Sequence, residues 1–374
     1  MKLFLYSVTI ALFLSCSNNK TSTQSEPENA PSETKAVEQW LEFDGKDNMP
    51  HVVLVSGDEE YRSEEALPQL AKILSTHHGF NCTVLFAQDP EVPGQVNANY
   101  LRNIPGMEKL ASADLMVIFT RFRALPDDQM QHIDNYLKSG KPVIGLRTAT
   151  HGFNFEKDES TSQWVHYSNG YKGEKEAWQG GFGRLVLGEK WVAHHGHHKH
   201  QSTKGLVAKN AKEHSITNGI EDGDVWGASD VYEVRLPLPG DSEPIILGQV
   251  INRKGEYNEG DIFFGMSPED DEIATENNKE KTVNDILMPV AWTKSYQIPG
   301  GKQGKAFTST VGAANDLLIE GTRRLLINSV FWAVDLPVPE KANVDIIPPY
   351  EPTKFEFRKA DYWPKRKMTI SALK

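Results

Sequence analysis

Between His51 and Leu146 the chain alternates short apolar runs with amphipathic segments, and this order restricts the fold more than any other property of the sequence. His51-Val-Val-Leu-Val-Ser56 reads as a strand ended by Gly57, and Glu64 to His78 places Leu67, Leu70, Ala71, Ile73 and Leu74 along one side of a helix. Phe80 to Phe86 is a second strand, Asp114 to Thr120 a third, Pro126 to Leu137 a helix and Pro142 to Leu146 a fourth strand. Strands alternating with helices predict an α/β fold with a doubly wound, mostly parallel sheet. After Phe153 the alternation stops. A Gly-, Trp- and His-rich stretch runs to about Asp230, which predicts a long insertion after the fourth strand, lying over one end of the sheet. Strand-like segments return at Val231 to Leu236, Pro244 to Ile251, Met288 to Tyr296 and Lys305 to Thr310, and Asp316 to Val334 reads as a closing helix.

The chain begins with Lys2, an apolar run from Leu3 to Leu14, then Ser15 and Cys16. That run is shorter than the roughly 20 residues a membrane-spanning helix needs. It reads as a cleaved signal peptide. Its end, Phe13-Leu14-Ser15-Cys16, resembles a bacterial lipobox and makes Cys16 the candidate lipidation site. The expected address is then the bacterial cell envelope, periplasmic or outer membrane, with membrane contact through the lipid anchor only. Residues 17–45, mostly Ser, Thr, Asn, Glu and Pro, are expected to form a disordered tether. Cys82 is the one cysteine left, so no disulfide framework is expected. A hydrophobic fraction of 39% fits a soluble globular body, and a net charge of -11 argues against a nucleic-acid partner.

In an open parallel sheet, ligands bind beyond the carboxyl ends of the strands. That rule selects Asp58, Glu59, Glu60, Tyr61 and Arg62 after the first strand, Arg121 and Arg123 after the third, and Arg147, Thr148 and His151 after the fourth. A histidine run, His194, His195, His197, His198 and His200, would fold over the same edge. As metal ligands, His194 with His198 or His195 with His197 would act beside Asp58, Glu60 or Asp230. Without a metal, they would serve as general base or as hydrogen-bond partners of the substrate. His200 is the expected bystander. Trp164, Trp178, Trp191, Trp226 and Trp292 lie in neighbouring segments, and flat aromatic faces beside forked polar groups suit a sugar pocket. No Gly-x-Gly-x-x-Gly follows a strand, so no dinucleotide is expected.

Five separated motifs share one order with a known family: Val55-Ser-Gly-Asp-Glu-Glu-Tyr-Arg-Ser-Glu-Glu65, Lys141-Pro-Val-Ile-Gly-Leu-Arg-Thr-Ala-Thr-His-Gly-Phe153, His194-His-Gly-His-His198, Asp222-Gly-Asp-Val-Trp226 and Glu320-Gly-Thr-Arg-Arg-Leu-Leu-Ile-Asn-Ser329. In these the chain resembles the ThuA-like family, which is linked to trehalose utilisation and shares the flavodoxin-like, class I glutamine amidotransferase-like fold. The resemblance implies a domain over 46–350, a C-terminal extension over 351–374, and a role with a small saccharide, a disaccharide or a 3-keto-glycoside made by a partner sugar dehydrogenase. Where an amidotransferase carries its nucleophilic cysteine this chain has Arg147, and the late strand Phe307 to Gly312 lacks the triad histidine, so glutaminase activity is not expected. On a keto sugar, His151, His194 or His195 would take a proton, Glu60 or Asp58 would orient the base, and Arg147 or Arg121 would hold the oxyanion. Asp58, Arg62, Arg121, Thr148, His198, Trp226 and Asp230 would contact substrate, and a divalent metal, if used, would sit at His194, His195 and His198. The alternatives are a non-catalytic saccharide-binding or partner-supporting lipoprotein and a metal-dependent hydrolase.

Overall fold

A computed structural model describes residues 37–155 and 162–374, so the signal segment, Cys16 and tether residues 17–36 lie outside the described residues. The strands are β1 (Trp40–Phe43), β2 (His51–Gly57), β3 (Asn81–Phe86), β4 (Leu115–Thr120), β5 (Val143–Leu146), β6 (Ala193–His194), β7 (Gln201–Val207), β8 (Trp226–Gly227), β9 (Tyr232–Glu233), β10 (Glu243–Asn252), β11 (Glu272–Ile273), β12 (Met288–Tyr296) and β13 (Gly304–Ser309). The α-helices are α1 (Ser63–His78), α2 (Asp127–Lys138), α3 (Gly181–Leu185), α4 (Glu320–Ala333) and α5 (Tyr362–Arg366). No described helix is long and apolar enough to cross a membrane.

The main sheet runs β1-β3-β2-β4-β5-β13-β12-β10-β7-β8, with β11 paired to β10. Its centre, β3-β2-β4-β5-β13, is parallel and follows the 2-1-3-4-5 order of flavodoxin-like sheets. Val52 and Leu54 pack into the cluster that holds α1 and α4, while Val53 and Val55 join the opposite cluster with α2. A strand covered on both faces needs an unbroken apolar run, which is why these strands show none of the alternation of a half-exposed sheet. Gly79, at φ 76, ends α1 in the left-handed conformation, and its N–H bonds the carbonyls of Leu74 and Ser75.

Four expectations need correction. Parallel pairing is confined to the centre: β12, β10, β7 and β8 continue the sheet antiparallel, because the turn after Ile298 joins β12 to β13 as a hairpin, too short for a parallel crossover. The insertion after the fourth strand therefore does more than lie over one end, since its β7 becomes part of the sheet. The tether ends before residue 45: Trp40–Phe43 pairs antiparallel with β3, and Leu41 is fully buried. The C-terminal extension also belongs to the body, with Phe355, Trp363 and Ile370 in its core and Met368 accepting a hydrogen bond from the Val96 N–H.

Candidate functional site

In the 2-1-3-4-5 order the direction of travel reverses between β2 and β4, and the loops leaving these two strands meet at the switch point where sheets of this kind form their ligand crevice. The β2 loop is shaped by Asp58. Its carboxylate accepts the backbone N–H groups of Glu60 and Tyr61 and the Thr148 hydroxyl at 2.6 Å, tying the loop to the end of β5. Asp58 and Thr148 are thus builders of the crevice, both fully buried. Arg62 lies beneath it, buried over the Trp363 ring and donating to the carbonyls of Glu59 and Glu356. From the β4 loop, Arg121 and Arg123 both pair with Glu59, and Arg121 also reaches Glu60 at 3.5 Å. Burial, reinforced by Asp58, pushes the Glu60 carboxyl up to about 7, against the pull of Arg121 and Arg147.

Arg147 leaves β5 at φ 48 and turns inward. Its guanidinium is packed between the rings of Tyr61 and Tyr232, at 4.3 and 4.0 Å, and donates to the carbonyls of Asp230 and Thr310. With no exposed surface, it acts as a staple between β5, β13 and the 230 segment. His151, at the end of the same turn, sits among Phe122, Trp191 and Tyr232. Burial, and then the charges of Arg121, Arg147 and His194, hold it well below the usual imidazole range.

The histidine run splits because β6 ends at His194 and the chain then bends at His195 and turns at His198 to His200. His194 faces the crevice, its Nδ1 2.8 Å from one oxygen of Asp230, and His198 returns to place its Nδ1 2.8 Å from the other. A carboxylate can only accept, so both rings carry hydrogen on Nδ1. Their Nε2 lone pairs remain available. His198 Nε2 stands 3.5 Å from Glu60 Oε1. Burial opposes protonation of His194, yet the Asp230 bond and charge prevail and raise it, while the same two bonds hold the buried Asp230 far below the usual carboxylate range. His194, His198 and Asp230 are also the described group with donor atoms close enough to share an ion. His195 points the other way, buried, with its backbone bonded to Val231 and Asn277. His197 stacks on His200, and His200 in turn on Tyr257, outside this group.

The structure therefore brings together Asp58, Glu60, Arg121, Arg147, Thr148, His151, His194, His198 and Asp230, and separates His195 and Trp226 from them. Trp226 packs in the core against Phe263, and Trp164, Trp178 and Trp292 are also core residues, leaving Trp191 as the tryptophan of the site wall. Sequence reasoning missed Phe122, Tyr232, Phe355 and Phe357. Phe355 lies against Tyr61 and His198, and the largely exposed Phe357 covers Arg121. Their signal was an aromatic Phe-Glu-Phe in a segment without periodicity.

No family model and no curated protein matches the chain. Among solved structures it is similar to a ThuA-like protein from Parabacteroides merdae, at 13% identity and TM-score 0.40 over 83% of this chain and 98% of that one. It is also similar to a ThuA-like protein from Bacteroides uniformis, at 15% identity and TM-score 0.42 over 77% and 93%. Both likenesses are too distant to transfer an activity.

Proposed function

We propose that this chain is a carbohydrate-modifying enzyme of the ThuA-like type, with an amidotransferase-like fold but no glutaminase chemistry, acting by proton transfer on a keto-glycoside or a related disaccharide derivative. The observation that carries the reading is the contrast between two histidines on one aromatic wall, Trp191 and Tyr232. His194 is held by a carboxylate, whereas His151 is buried among Phe122, Trp191 and Tyr232, where burial first and then the charges of Arg121 and Arg147 disfavour its protonation. Groups whose surroundings push their proton affinities apart divide naturally into base and acid.

In this reading neutral His151 removes the proton from the carbon beside the keto group. The electron pair of that C–H bond forms a C=C bond as the glycosidic C–O bond on the next carbon breaks, and the leaving oxygen takes the proton of Glu60. His194 and Arg121 stabilise the negative charge that gathers on the keto oxygen during the step. Arg147, whose Nη1 donates to two carbonyls and whose guanidinium is enclosed by the Tyr61 and Tyr232 rings, positions the wall and makes no contact with the oxyanion. The keto sugar would come from a partner sugar dehydrogenase. The protein would work at the cell envelope through Cys16, and Cys16→Ala should then move it from the membrane to the soluble fraction.

The test is turnover of a 3-keto-glucoside. His151→Ala and His194→Ala should each lower kcat by about a hundredfold or more, the usual worth of a positioned acid or base. His195→Ala should stay within a few-fold of wild type. Full turnover by either of the first two variants refutes the assignment, and saturable binding of the saccharide without conversion by the wild type would favour the binding-protein alternative.

A further inference from the structure

We propose that Phe357 is the platform on which the leaving group of the substrate stacks, so that the preferred glycosides are those whose leaving group is itself a ring with an apolar face, aryl or pyranosyl, rather than an alkyl chain or a charged group. The inference rests on the reading above, because that reading places the leaving oxygen at Glu60.

Phe357 lies in a stretch, residues 351–359, that has neither helix nor strand. The stretch is nevertheless tied down along its length. The Thr353 N–H and hydroxyl donate to the Glu65 carboxylate, and Phe355 is fully buried. The Glu356 N–H donates to the Glu60 carbonyl at 2.9 Å, and Arg62 donates to the Glu356 carbonyl at 2.9 Å. The Asn99 amide reaches the Arg358 carbonyl at 3.4 Å. Backbone held on both sides in this way fixes where its side chains go. Phe355 enters the core, whereas Phe357, two residues on, keeps 56% of its surface exposed.

Arg121 connects that exposed ring to the reacting groups. Its guanidinium stands 4.7 Å from the Phe122 ring and 4.7 Å from the Phe357 ring. Phe122 is in turn 4.9 Å from the ring of His151, and Arg121 Nε is 3.5 Å from Glu60 Oε2. The base, Phe122, Arg121 and Phe357 therefore follow one another by contact, with the acid beside Arg121. In the reading above the keto sugar lies between His151 and Glu60. A group bonded to the leaving oxygen continues past Glu60, where Arg121 and its cover come next. The charges around this surface are spent on each other, Glu59 on Arg121 and Arg123, Glu356 on Arg358 and, at 3.6 Å, Lys354. What stays free is an aromatic face, which takes a flat ring or the C–H face of a pyranose.

The experiment measures kcat and KM of the full chain, wild type and Phe357→Ala, on three 3-keto-β-glucosides whose leaving groups are methanol, phenol and glucose. Intrinsic leaving ability differs among them and cancels when the ratios of kcat/KM are compared between proteins. The phenyl-over-methyl ratio, the glucosyl-over-methyl ratio or both should fall by about 3–10-fold in Phe357→Ala, mostly through KM, the usual worth of an aromatic contact. Phe357→Trp should restore what is lost. A fall for phenyl alone assigns the platform to aryl groups and a fall for glucosyl alone to a sugar, and either supports the proposal. Tyr257→Ala, at another exposed ring that stacks on His200, should leave both ratios as they are. If Phe357 serves only to hold Arg121, all three substrates slow together; ratios unmoved in folded Phe357→Ala therefore overturn the platform while turnover by the wild type spares the proposed function. If the wild type converts none of the three, the proposed function fails and binding decides the platform. Saturation transfer to the ring protons of phenyl β-glucoside that is lost in Phe357→Ala then supports it, and equal transfer in both proteins overturns it.

Discussion

Replacing Glu60 by glutamine should make the metal-free protein more stable, and increasingly so as pH rises. Glu60 is 7% exposed. Burial first, and then Asp58 and Asp230, raise its carboxyl from an ordinary 4.5 to about 7, with Arg121 and Arg147 opposing. Between those two pH values the folded state retains a proton that the unfolded chain has released, so stability falls with pH. The favourable contribution is complete below pH 4.5 and lost as pH rises through 7. Each pH unit in that interval is worth about 1.4 kcal/mol, so the slope accumulates to about 3 kcal/mol. Glutamine does not titrate and removes this slope. Urea unfolding of both proteins, followed by tryptophan fluorescence in chelator at pH 4.5, 6, 7 and 8, should show the variant gaining on wild type by up to about 3 kcal/mol, most of it before pH 7. Groups elsewhere cancel in the difference. A gap between the two proteins that stays constant across the range refutes the reasoning.

Arg147→Met should cost about 3–5 kcal/mol in thermal unfolding, since it strands the carbonyls of Asp230 and Thr310 and removes a charge beside buried Asp230; a shift in Tm worth less than about 1 kcal/mol would contradict the staple. Cys82 should resist iodoacetamide in the native protein, because burial pushes its thiol up and closes access, and peptide mapping that finds it alkylated before unfolding would refute this. Phe355→Ala should destabilise the body by about 3–5 kcal/mol, the usual cost of emptying a buried phenylalanine site; urea unfolding indistinguishable from wild type would show the C-terminal segment to be dispensable.

The parallel centre was legible because its strands are buried on both faces, and such strands appear as apolar runs bounded by Gly and polar residues. β7 was not, since Gln201-Ser-Thr-Lys-Gly reads as a loop and its Gln201, Ser202 and Thr203 are buried only through pairing with β10 and cover from neighbouring segments. β1 was hidden by the polar residues around it, although Leu41 is what pins it. In the site, the strand-end rule brought forward Asp58, Glu60, Arg121, Arg147, Thr148 and His151, since a residue just past a strand end is placed by topology alone. Whether a charge faces the crevice or the core is set by tertiary neighbours. Tyr61 and Tyr232, distant in sequence, close over Arg147, and nothing local to residues 143–151 announces that. For the same reason Phe355 came from a segment with no strand or helix to position it.

Asp230 is where stability and chemistry become one question. Its carbonyl holds Arg147 and its carboxylate holds His194 and His198, so the direction of both imidazoles depends on the turn that follows β5. The flat guanidinium of Arg147 reaches two carbonyls while both of its faces stay covered by tyrosine. An ammonium group, a point donor on a flexible stem, reproduces the charge but not the fork or the stacking. Arg147→Lys should therefore separate the two roles: it keeps the positive charge near Asp230 yet frees the 230 segment from β5. If the histidines owe their aim to this staple, the variant stays folded while the hydrogen-bonded Nδ1–H proton resonances of His194 and His198 broaden. If those resonances remain sharp, Asp230 is held by its own strand and Arg147 serves the core alone.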